Sequence, residues 1–194
     1  MVSRLKMFLL ASLIATLTAV GVVIRVPMIP VPFTLQTFFV LLSGNLLGPY
    51  WGAVSMIVYI LLGLVGLPVF AGGSGLGIVL SPTFGYLISF PVAAYFVGRK
   101  RELVNVEPRK KSFYQLFFYQ VLGLMIIYFC GVLYLFFIKN FYGGESFPFT
   151  QAVLVGFIVF IPSLIIKSIL VTVTVLRLKN QIKLFIHSLL FSSL

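Results

Sequence analysis

The sequence predicts an all-α integral membrane protein with six transmembrane helices, structured extracellular loops and an interfacial C-terminal tail. Three observations predict this class: 61% of the 194 residues are hydrophobic, 9% are charged, and the basic residues cluster on one side of the apolar segments. A soluble domain carries about 25% charged residues, and a chain this short could not enclose so much apolar surface in one core. The mean hydropathy of +1.18 also excludes a disordered chain.

Six apolar segments are the predicted spans of a single membrane domain covering residues 1–194. A spanning helix needs about 20 apolar residues because the hydrocarbon layer is about 30 Å thick. The predicted spans are 7–24, 34–47, 53–67, 83–98, 113–138 and 149–176. Residues 177–194 follow as a cytoplasmic amphipathic tail, in which apolar residues at helical spacing oppose lysines, as is typical of a helix lying at the interface.

The first span has a second interpretation, because Arg4 and Lys6 precede it as in the n-region of a signal peptide. Its apolar run is longer than the usual signal segment, and residues 18–21 are a poor cleavage site. We therefore interpret the first span as a retained helix.

Three connecting segments have compositions that predict turns or shaped loops. Residues 25–32 contain three prolines, which remove backbone donors and block a continuing helix. Residues 48–52 read Gly-Pro-Tyr-Trp-Gly and predict a turn with aromatic side chains at headgroup level. Residues 68–82, which we call the glycine loop, contain a Gly-Gly-Ser-Gly-Leu-Gly run and predict a long loop able to cap a small ligand. An ordinary flexible loop is the alternative, and the run lacks the Lys of a phosphate-binding loop.

The basic residues predict the orientation of the spans. Eleven of the fourteen lie on one side: Arg4, Lys6, Arg99, Lys100, Arg101, Arg109, Lys110, Lys111, Arg177, Lys179 and Lys183. The other side has only Arg25 and Lys139. The positive-inside rule places the eleven and both termini in the cytoplasm, in a multi-pass protein of the cell membrane. The net charge of +11 is then a topology signal, and no nucleic acid is needed to explain it.

The remaining composition excludes most catalytic chemistry. The acids are Glu102, Glu107 and Glu145, and the chain has one histidine, His187, and one cysteine, Cys130. Paired-carboxylate catalysis, metal clusters and structural disulfides lack the residues they need. We therefore expect no enzymatic activity, no metal and no cofactor.

Lys167 is the basic residue that topology does not explain. It lies about ten residues from the inner end of the sixth span, and at 1.5 Å per residue this is about 15 Å, too far for the side chain to reach the surface. An intramembrane lysine costs roughly 2.5–3.5 kcal/mol on insertion scales and is a functional hypothesis by default. Because the spans contain no acid, we expect Lys167 to meet carbonyls, water or an anionic ligand, and Pro162 to free carbonyls near it.

Two further patterns are open to both a functional and a packing interpretation. Polar residues within the spans are candidates to line a cavity, although each is also typical of helix packing: Thr34, Gln36, Asn45, Tyr86 and Gln120. Small residues recur every four positions on the first helix at Ala11, Ala15 and Ala19. This spacing lets a second helix approach closely, either within the bundle or from a partner.

Four segments, in order along the chain, carry a resemblance to a known family. They are 31–37 (VPFTLQT), 66–75 (GLPVFAGGSG), Pro82-Thr83 with Gly85-Tyr86, and Ile161-Pro162 with Lys167. Together they resemble the biotin transporter BioY family, the substrate-binding S components of energy-coupling-factor transporters. The resemblance extends from the first span to the sixth.

The resemblance implies a six-helix S component that binds biotin as its transported substrate in a cavity open to the outside. It further implies association with a transmembrane coupling protein and two cytoplasmic ATPases. The implied substrate-binding residues are Thr34, Gln36, Phe70, Gly72, Gly73, Tyr86 and Lys167. The implied partner-docking residues are Ala11, Ala15 and Ala19. Whether the chain acts alone, as a homo-oligomer or only with the coupling proteins stays open at this point.

The sequence departs from the family pattern beside the buried lysine. The family commonly reads Pro-Gly-Asp-x-x-Lys, whereas this chain has Ser163 and Leu164 before Lys167. Loss of the Asp removes an acceptor for the ureido N–H groups, so the same fold carrying a different small anionic ligand is the nearest alternative. A non-transporting membrane scaffold or a membrane-embedded enzyme are more distant ones, since a scaffold has little need for a buried lysine and an enzyme lacks the acids.

Overall fold

Helices make up most of the computed structural model, which describes residues 4–27, 29–100, 109–144 and 146–191. This confirms the predicted helical class. The α-helices are α1 (Arg4–Val20), α2 (Gln36–Leu47), α3 (Pro49–Leu64), α4 (Phe84–Ile88), α5 (Phe90–Gly98), α6 (Arg109–Phe137), α7 (Phe149–Gly156) and α8 (Ile161–Phe191). Shorter 3₁₀ segments cover Leu76–Leu80 and Ile158–Phe160, and a π-helical turn, Ile138–Tyr142, extends α6.

The surface of the bundle is that of a membrane protein. Two segments, Lys111–Tyr142 and Phe149–Leu178, are long and apolar enough to cross a bilayer by length and composition. Large apolar side chains such as Leu9, Phe129 and Ile166 are exposed on α1, α6 and α8. A contiguous apolar surface of this kind is unfavourable in water and favourable against lipid.

Glycines bring α2, α3 and α5 into backbone contact at the centre of the bundle. A Cβ added at Gly44 of α2 would lie 2.3 Å from the carbonyl oxygen of Ala94 in α5. A Cβ at Gly98 would lie 2.6 Å from the backbone nitrogen of Pro49, at the start of α3. Small residues allow this approach, and van der Waals packing between backbones then holds the helices together.

A pair of amides links α2 to α6. Asn45 Nδ2 donates to Gln120 Oε1 at 3.3 Å, and Gln120 Nε2 donates back to Asn45 Oδ1 at 3.2 Å. Both side chains are buried. The structure therefore supports the packing alternative for Asn45 and Gln120, because the two amides are hydrogen-bonded to each other and neither residue lines the cavity described below.

Several helix bounds differ from the predicted spans. The turn predicted at residues 48–52 is confined to Gly48, with a φ of +81°, because α3 already begins at Pro49, whose fixed φ suits the first helical position. The segment 83–98 is divided between α4 and α5 at Ser89. The segment 149–176 is divided at Phe157, and α8 begins at Ile161 with Pro162 in its first turn, where the missing N–H breaks no helical bond.

The tail predicted for 177–194 is not a separate element over its described backbone, since α8 continues without interruption to Phe191. The side chains of residues 179–194 lie outside the described part of the chain, so the amphipathic character of the tail stays a prediction. Residues 101–108 of the predicted cytoplasmic loop also lie outside it.

The proline-rich segment closes on itself as a small hairpin. Strands β1 (Arg25–Val26) and β2 (Phe33–Thr34) pair antiparallel, with Arg25 opposite Thr34. The hairpin lies between α1 and α2, and β2 leads into α2 through Leu35 alone. The glycine loop joins α3 to α4 at the same end of the bundle, where Arg25 Nη1 donates to the carbonyl of Ala71 at 3.1 Å.

The close approach at Gly44 gives a testable prediction. Gly44→Ala places a methyl group against the Ala94 carbonyl, and we expect a loss of about 1–3 kcal/mol, as for other overpacked sites. Thermal unfolding in detergent measures this as a lower apparent Tm. Gly77→Ala is the matched control, because a Cβ there has no neighbour within 4 Å. Equal Tm values for the two variants would contradict the packing described.

Candidate ligand-binding cavity

A cavity lies where the hairpin, α2, the glycine loop, α4, α6 and α8 meet. It encloses about 520 Å³ of space between atoms, part of it open to solvent. Its lining is mainly apolar and aromatic with a few polar groups: Val31, Pro32, Phe33, Thr34, Gln36, Thr37, Ala71, Thr83, Tyr86, Leu87, Phe90, Ile127, Tyr128, Phe160 and Lys167.

Lys167 is the charged group of this lining, and its side chain is only 3% exposed. Its Nζ donates to the backbone carbonyl of Thr34 at 2.6 Å and to Thr37 Oγ1 at 2.9 Å. The same Nζ lies 4.4 Å from the centroid of the Phe33 ring, in cation–π geometry. The expectation that Lys167 meets a backbone carbonyl is therefore confirmed.

The positions of Lys167 and of the Thr34 carbonyl depend on where the helices begin. Pro162 lies in the first turn of α8, so Lys167 comes about one and a half turns later. Thr34 ends β2, and its carbonyl stands at the start of α2, where the chain has just left the hairpin. Lys167 thus reaches an acceptor at the junction of strand and helix.

The Lys167 ammonium has unused capacity for a ligand. An ammonium group has three donors, and the two hydrogen bonds described use two of them. The three acids, Glu102, Glu107 and Glu145, lie outside the described residues, so no described side chain can neutralise Lys167. The arrangement suits a ligand that brings an acceptor oxygen, above all an anionic one.

Gln36 lies at the centre of a hydrogen-bonded chain beside Lys167. Thr34 Oγ1 donates to Gln36 Oε1 at 2.8 Å, and Gln36 Nε2 donates to the hydroxyl of Tyr59. Tyr59 in turn donates to the carbonyl of Val69 at 2.7 Å, at the beginning of the glycine loop. Gln36 is only 4% exposed, and these contacts orient its amide at the cavity wall.

Aromatic rings form the opposite wall. Tyr128 of α6 packs against Phe160 and Tyr86, with ring centroids 5.6 Å and 6.2 Å apart. The Tyr86 hydroxyl donates to the carbonyl of Gly156 at 2.9 Å. A Cβ at Gly131 would lie 2.2 Å from the Tyr86 ring. Tyr86 is thus wedged between α6 and α7, and its hydroxyl already has a partner in α7.

A wider mouth lies outside the cavity, between the hairpin and the glycine loop. Pro32, Ala71 and Thr83 line both spaces, and Arg25 and Gly72 line only the mouth. The Arg25–Ala71 hydrogen bond joins the two rims. The mouth therefore connects the cavity with the exterior of the bundle.

The structure brings together four of the seven residues predicted to bind substrate: Thr34, Gln36, Tyr86 and Lys167 line the cavity. Gly72 lies at the mouth. Phe70 and Gly73 are not part of either lining. They pair with each other in an isolated bridge within the glycine loop, and the φ of +126° at Gly73 is one that a glycine adopts readily.

Phe70 anchors the glycine loop rather than facing the cavity. Its ring packs edge-on against Tyr59, with centroids 5.3 Å apart. It also fills the space over Gly63 in α3, where an added Cβ would lie 2.0 Å from the ring. Phe70 therefore contributes to the site through the position of the loop.

The alanines of α1 are not at a free surface. Ala11 is 0% exposed and Ala15 is 1% exposed, and Ala19 is half-buried. Ser55 of α3 donates to the carbonyl of Ala11 at 2.8 Å, a contact that the small side chain allows. In this conformation the alanines contribute to the packing of α1 within the bundle, and docking of a partner on the Ala11–Ala15 face stays a prediction.

Several lining residues were not singled out from the sequence. Thr37 lies in the 31–37 segment and is spaced three residues from Thr34, so the polar pattern at the start of α2 could have indicated it. Tyr128 and Phe160 gave no such signal, because an aromatic residue in an apolar helix is typical of ordinary packing. Only the tertiary structure places them in the same lining as Lys167.

Known proteins resemble this chain over most of its length. The model of the BioY family matches residues 1–184. A probable biotin transporter BioY of Lysinibacillus sphaericus is 45% identical over 156 residues, which cover 80% of this chain and 77% of the relative. The biotin transporter BioY of Thermotoga maritima is 38% identical over 177 residues, which cover 91% of this chain and 97% of the relative.

A solved structure also resembles the chain. It is the crystal structure of the S-component for biotin from an ECF-type ABC transporter, with a TM-score of 0.76 and 27% sequence identity. The match covers 91% of this chain and 92% of that one. The similarity therefore extends over nearly the whole chain.

The contact between Phe70 and Gly63 predicts that a larger side chain at position 63 loosens the glycine loop. Gly63→Ala displaces the Phe70 ring, and we expect the glycine loop to detach from α3, by analogy with overpacked cores that lose about 1–3 kcal/mol. Limited proteolysis in detergent measures this as faster cleavage within residues 68–82. Gly66→Ala is less suitable as a control because of its positive φ, so Gly77→Ala serves instead. Cleavage of Gly63→Ala at the wild-type rate would contradict the role given to Phe70.

Proposed function

The chain belongs to the BioY family, and from this premise we propose that it is the biotin-binding S component of an energy-coupling-factor uptake transporter. The family match extends over residues 1–184. The relatives named biotin transporters and the structural neighbour named as a biotin S-component support biotin as the ligand. The chain has no enzymatic role in this proposal, and ATP hydrolysis takes place on separate subunits.

The observation that carries the proposal is Lys167, a buried cation with an unused donor in a cavity walled by aromatic rings. Biotin offers an acceptor oxygen at each end, in the ureido carbonyl and in the carboxylate. Between them lies an apolar thioether ring, which suits the wall formed by Tyr86, Tyr128 and Phe160. A ligand of this kind neutralises the lysine and buries apolar surface at the same time.

The departure from the family pattern at Ser163 and Leu164 does not change the cavity lining. Both side chains are buried, and neither is part of the lining. Thr34, Thr37 and Thr83 contribute polar side chains to the lining, which contains no carboxylate among the described residues. We therefore keep biotin as the ligand, and a different small anionic ligand is the alternative that the missing Asp favours.

The membrane arrangement follows from the helices and the basic residues. We propose that α1, α2, α3, α4 with α5, α6, and α7 with α8 form six crossings. Both termini then lie in the cytoplasm of a cell-membrane protein, in agreement with the positive-inside rule. The hairpin, the glycine loop and the mouth of the cavity lie outside, so substrate enters from the exterior.

Energy for import comes from partners in this proposal. An S component of this family joins a transmembrane coupling protein and two ATPase subunits. The exposed apolar face of α1, with Leu9 and Leu13, offers a surface for lipid or for a helix of the coupling protein, whereas Ala11 and Ala15 are covered. Co-purification with a tagged coupling protein, compared for the wild type and Leu13→Glu, tests this surface.

Equilibrium binding of labelled biotin to the purified protein tests the proposed function. We expect saturable binding at micromolar concentration or below. Lys167→Met should weaken it about tenfold or more, because hydrogen bonds to charged groups contribute about 1.5–3 kcal/mol. Lys100→Met removes the same charge from the end of α5 and should bind like the wild type. An absence of saturable binding to the wild type would refute the biotin assignment.

The identity of the ligand and the role of Lys167 are tested separately. A competition panel of other small carboxylate vitamins identifies a different ligand, since we expect only biotin to displace label at comparable concentrations. Unchanged affinity in Lys167→Met would remove that residue from the site while leaving the function intact. Uptake of labelled biotin into cells that lack their own transporter distinguishes transport from binding by a scaffold.

A further inference from the structure

Tyr59 joins the cavity to the glycine loop through one hydroxyl group. The hydroxyl accepts from Gln36 Nε2 and donates to the carbonyl of Val69 at 2.7 Å. Gln36 lines the cavity, and Val69 is the second residue of the glycine loop. Tyr59 itself is fully buried and does not line the cavity. Its two bonds thus connect a ligand-facing amide with the segment that covers the ligand.

The direction of these bonds is fixed by the carbonyl of Val69, which can only accept. Tyr59 therefore donates to Val69 and accepts from the amide nitrogen of Gln36. Gln36 Oε1 then faces Thr34, whose Oγ1 donates to it at 2.8 Å. A rotation of the Gln36 amide by 180° would place Oε1 against Tyr59, whose one hydroxyl proton is already donated to Val69, so that hydrogen bond would be lost. Thr34 Oγ1 could accept from the rotated amide, so it is the contact with the loop that determines which amide atom faces which neighbour.

The ring of Tyr59 makes a second connection between the same two regions. It packs edge-on against Phe70 of the glycine loop at 5.3 Å and stacks with Phe90 at 6.3 Å between centroids. Phe90 lines the cavity. Movement of Val69 and Phe70 away from α3 must therefore separate both the hydroxyl and the ring of Tyr59 from the loop.

We propose that Tyr59 is a positioning residue that couples the orientation of the Gln36 amide to closure of the glycine loop over the cavity. A ligand that binds Gln36 fixes the orientation of its amide. The amide then keeps the Tyr59 hydroxyl in position to donate to the carbonyl of Val69. By the reciprocity of coupled equilibria, a closed loop also presents Gln36 in its binding orientation. The identity of the ligand rests on the proposed function, whereas the coupling is a property of the ligand-free chain.

Thiol accessibility in the glycine loop tests the coupling without a ligand. Ile78→Cys in a Cys130→Ala background places a single thiol at a position of the loop that is only 3% exposed, so its alkylation rate reports loop opening. Tyr59→Phe removes one hydroxyl, and Gln36→Met removes the amide. We expect each to raise the rate about threefold or more, the size expected from one buried hydrogen bond. The double variant should react no faster than the faster single variant, because both remove the same connection.

Tyr134→Phe is the matched control. The Tyr134 hydroxyl donates to the carbonyl of Val79, in the same loop, and has no described contact with Gln36. The fold increase in alkylation rate in the Tyr134→Phe, Gln36→Met double variant should therefore equal the product of the two single-variant increases. If the increase in the Tyr59→Phe, Gln36→Met double variant also equals the product of its two single-variant increases, the coupling is refuted.

Two further results distinguish failure of the coupling from misfolding of a variant and from failure of the proposed function. Gln36 has no described hydrogen bond to the glycine loop, so an unchanged alkylation rate in Gln36→Met alone refutes the coupling even if Tyr59→Phe does not fold. Biotin should slow alkylation in the wild type about threefold more than in Tyr59→Phe. A wild type that binds no biotin refutes the proposed function, while the ligand-free rates still decide the role of Tyr59.

Discussion

The need to satisfy a buried ammonium group inside an apolar bundle governs the structure around Lys167. A charged side chain at this depth is unfavourable unless polar groups replace its lost water. A regular helix uses its own carbonyls in the i to i−4 ladder, so the acceptors must come from places where helices begin or end. The carbonyl of Thr34 is such a group, because it lies between the hairpin and the first turn of α2. The breaks in the bundle are therefore part of the site.

The same breaks arrange the remaining lining of the cavity. The interruption between α7 and α8 brings Phe160 against Tyr128, and it leaves the carbonyl of Gly156 to accept from Tyr86. The hairpin presents Phe33 to the Lys167 ammonium. Polar and aromatic groups thus converge at one end of the bundle, while the opposite surfaces of the helices stay apolar and face lipid.

The sequence predicted much of this arrangement where a residue was chemically unusual for its surroundings. A lysine in an apolar span and the Thr-Leu-Gln-Thr segment after three prolines both indicated the cavity, because polar residues in lipid require partners. Residues that are ordinary for a membrane helix gave no signal. Tyr59 and Tyr128 are typical packing residues in sequence, and their roles depend on which helices become neighbours.

For the alanines of α1, the sequence predicted the contact but did not identify the helix that makes it. Their spacing predicted close approach of a helix, and that physical inference holds, since Ser55 of α3 reaches the carbonyl of Ala11. Spacing alone could not say whether the approaching helix belongs to the same chain or to a partner. Likewise, proline at the second position of α8 and at the start of α3 marks helix beginnings, but the sequence pattern at residues 48–52 did not show that the turn is confined to Gly48.

The central claim is that ligand occupies the cavity between Lys167 and the aromatic wall. Photocrosslinking with a biotin derivative carrying a photoactivatable group on its side chain, followed by mass-spectrometric mapping, tests it most directly. We expect adducts on the cavity lining, among Phe33, Tyr128 and Phe160, that excess free biotin abolishes. Adducts confined to the lipid-facing surfaces of α1 or α6, or adducts that free biotin does not suppress, would contradict it.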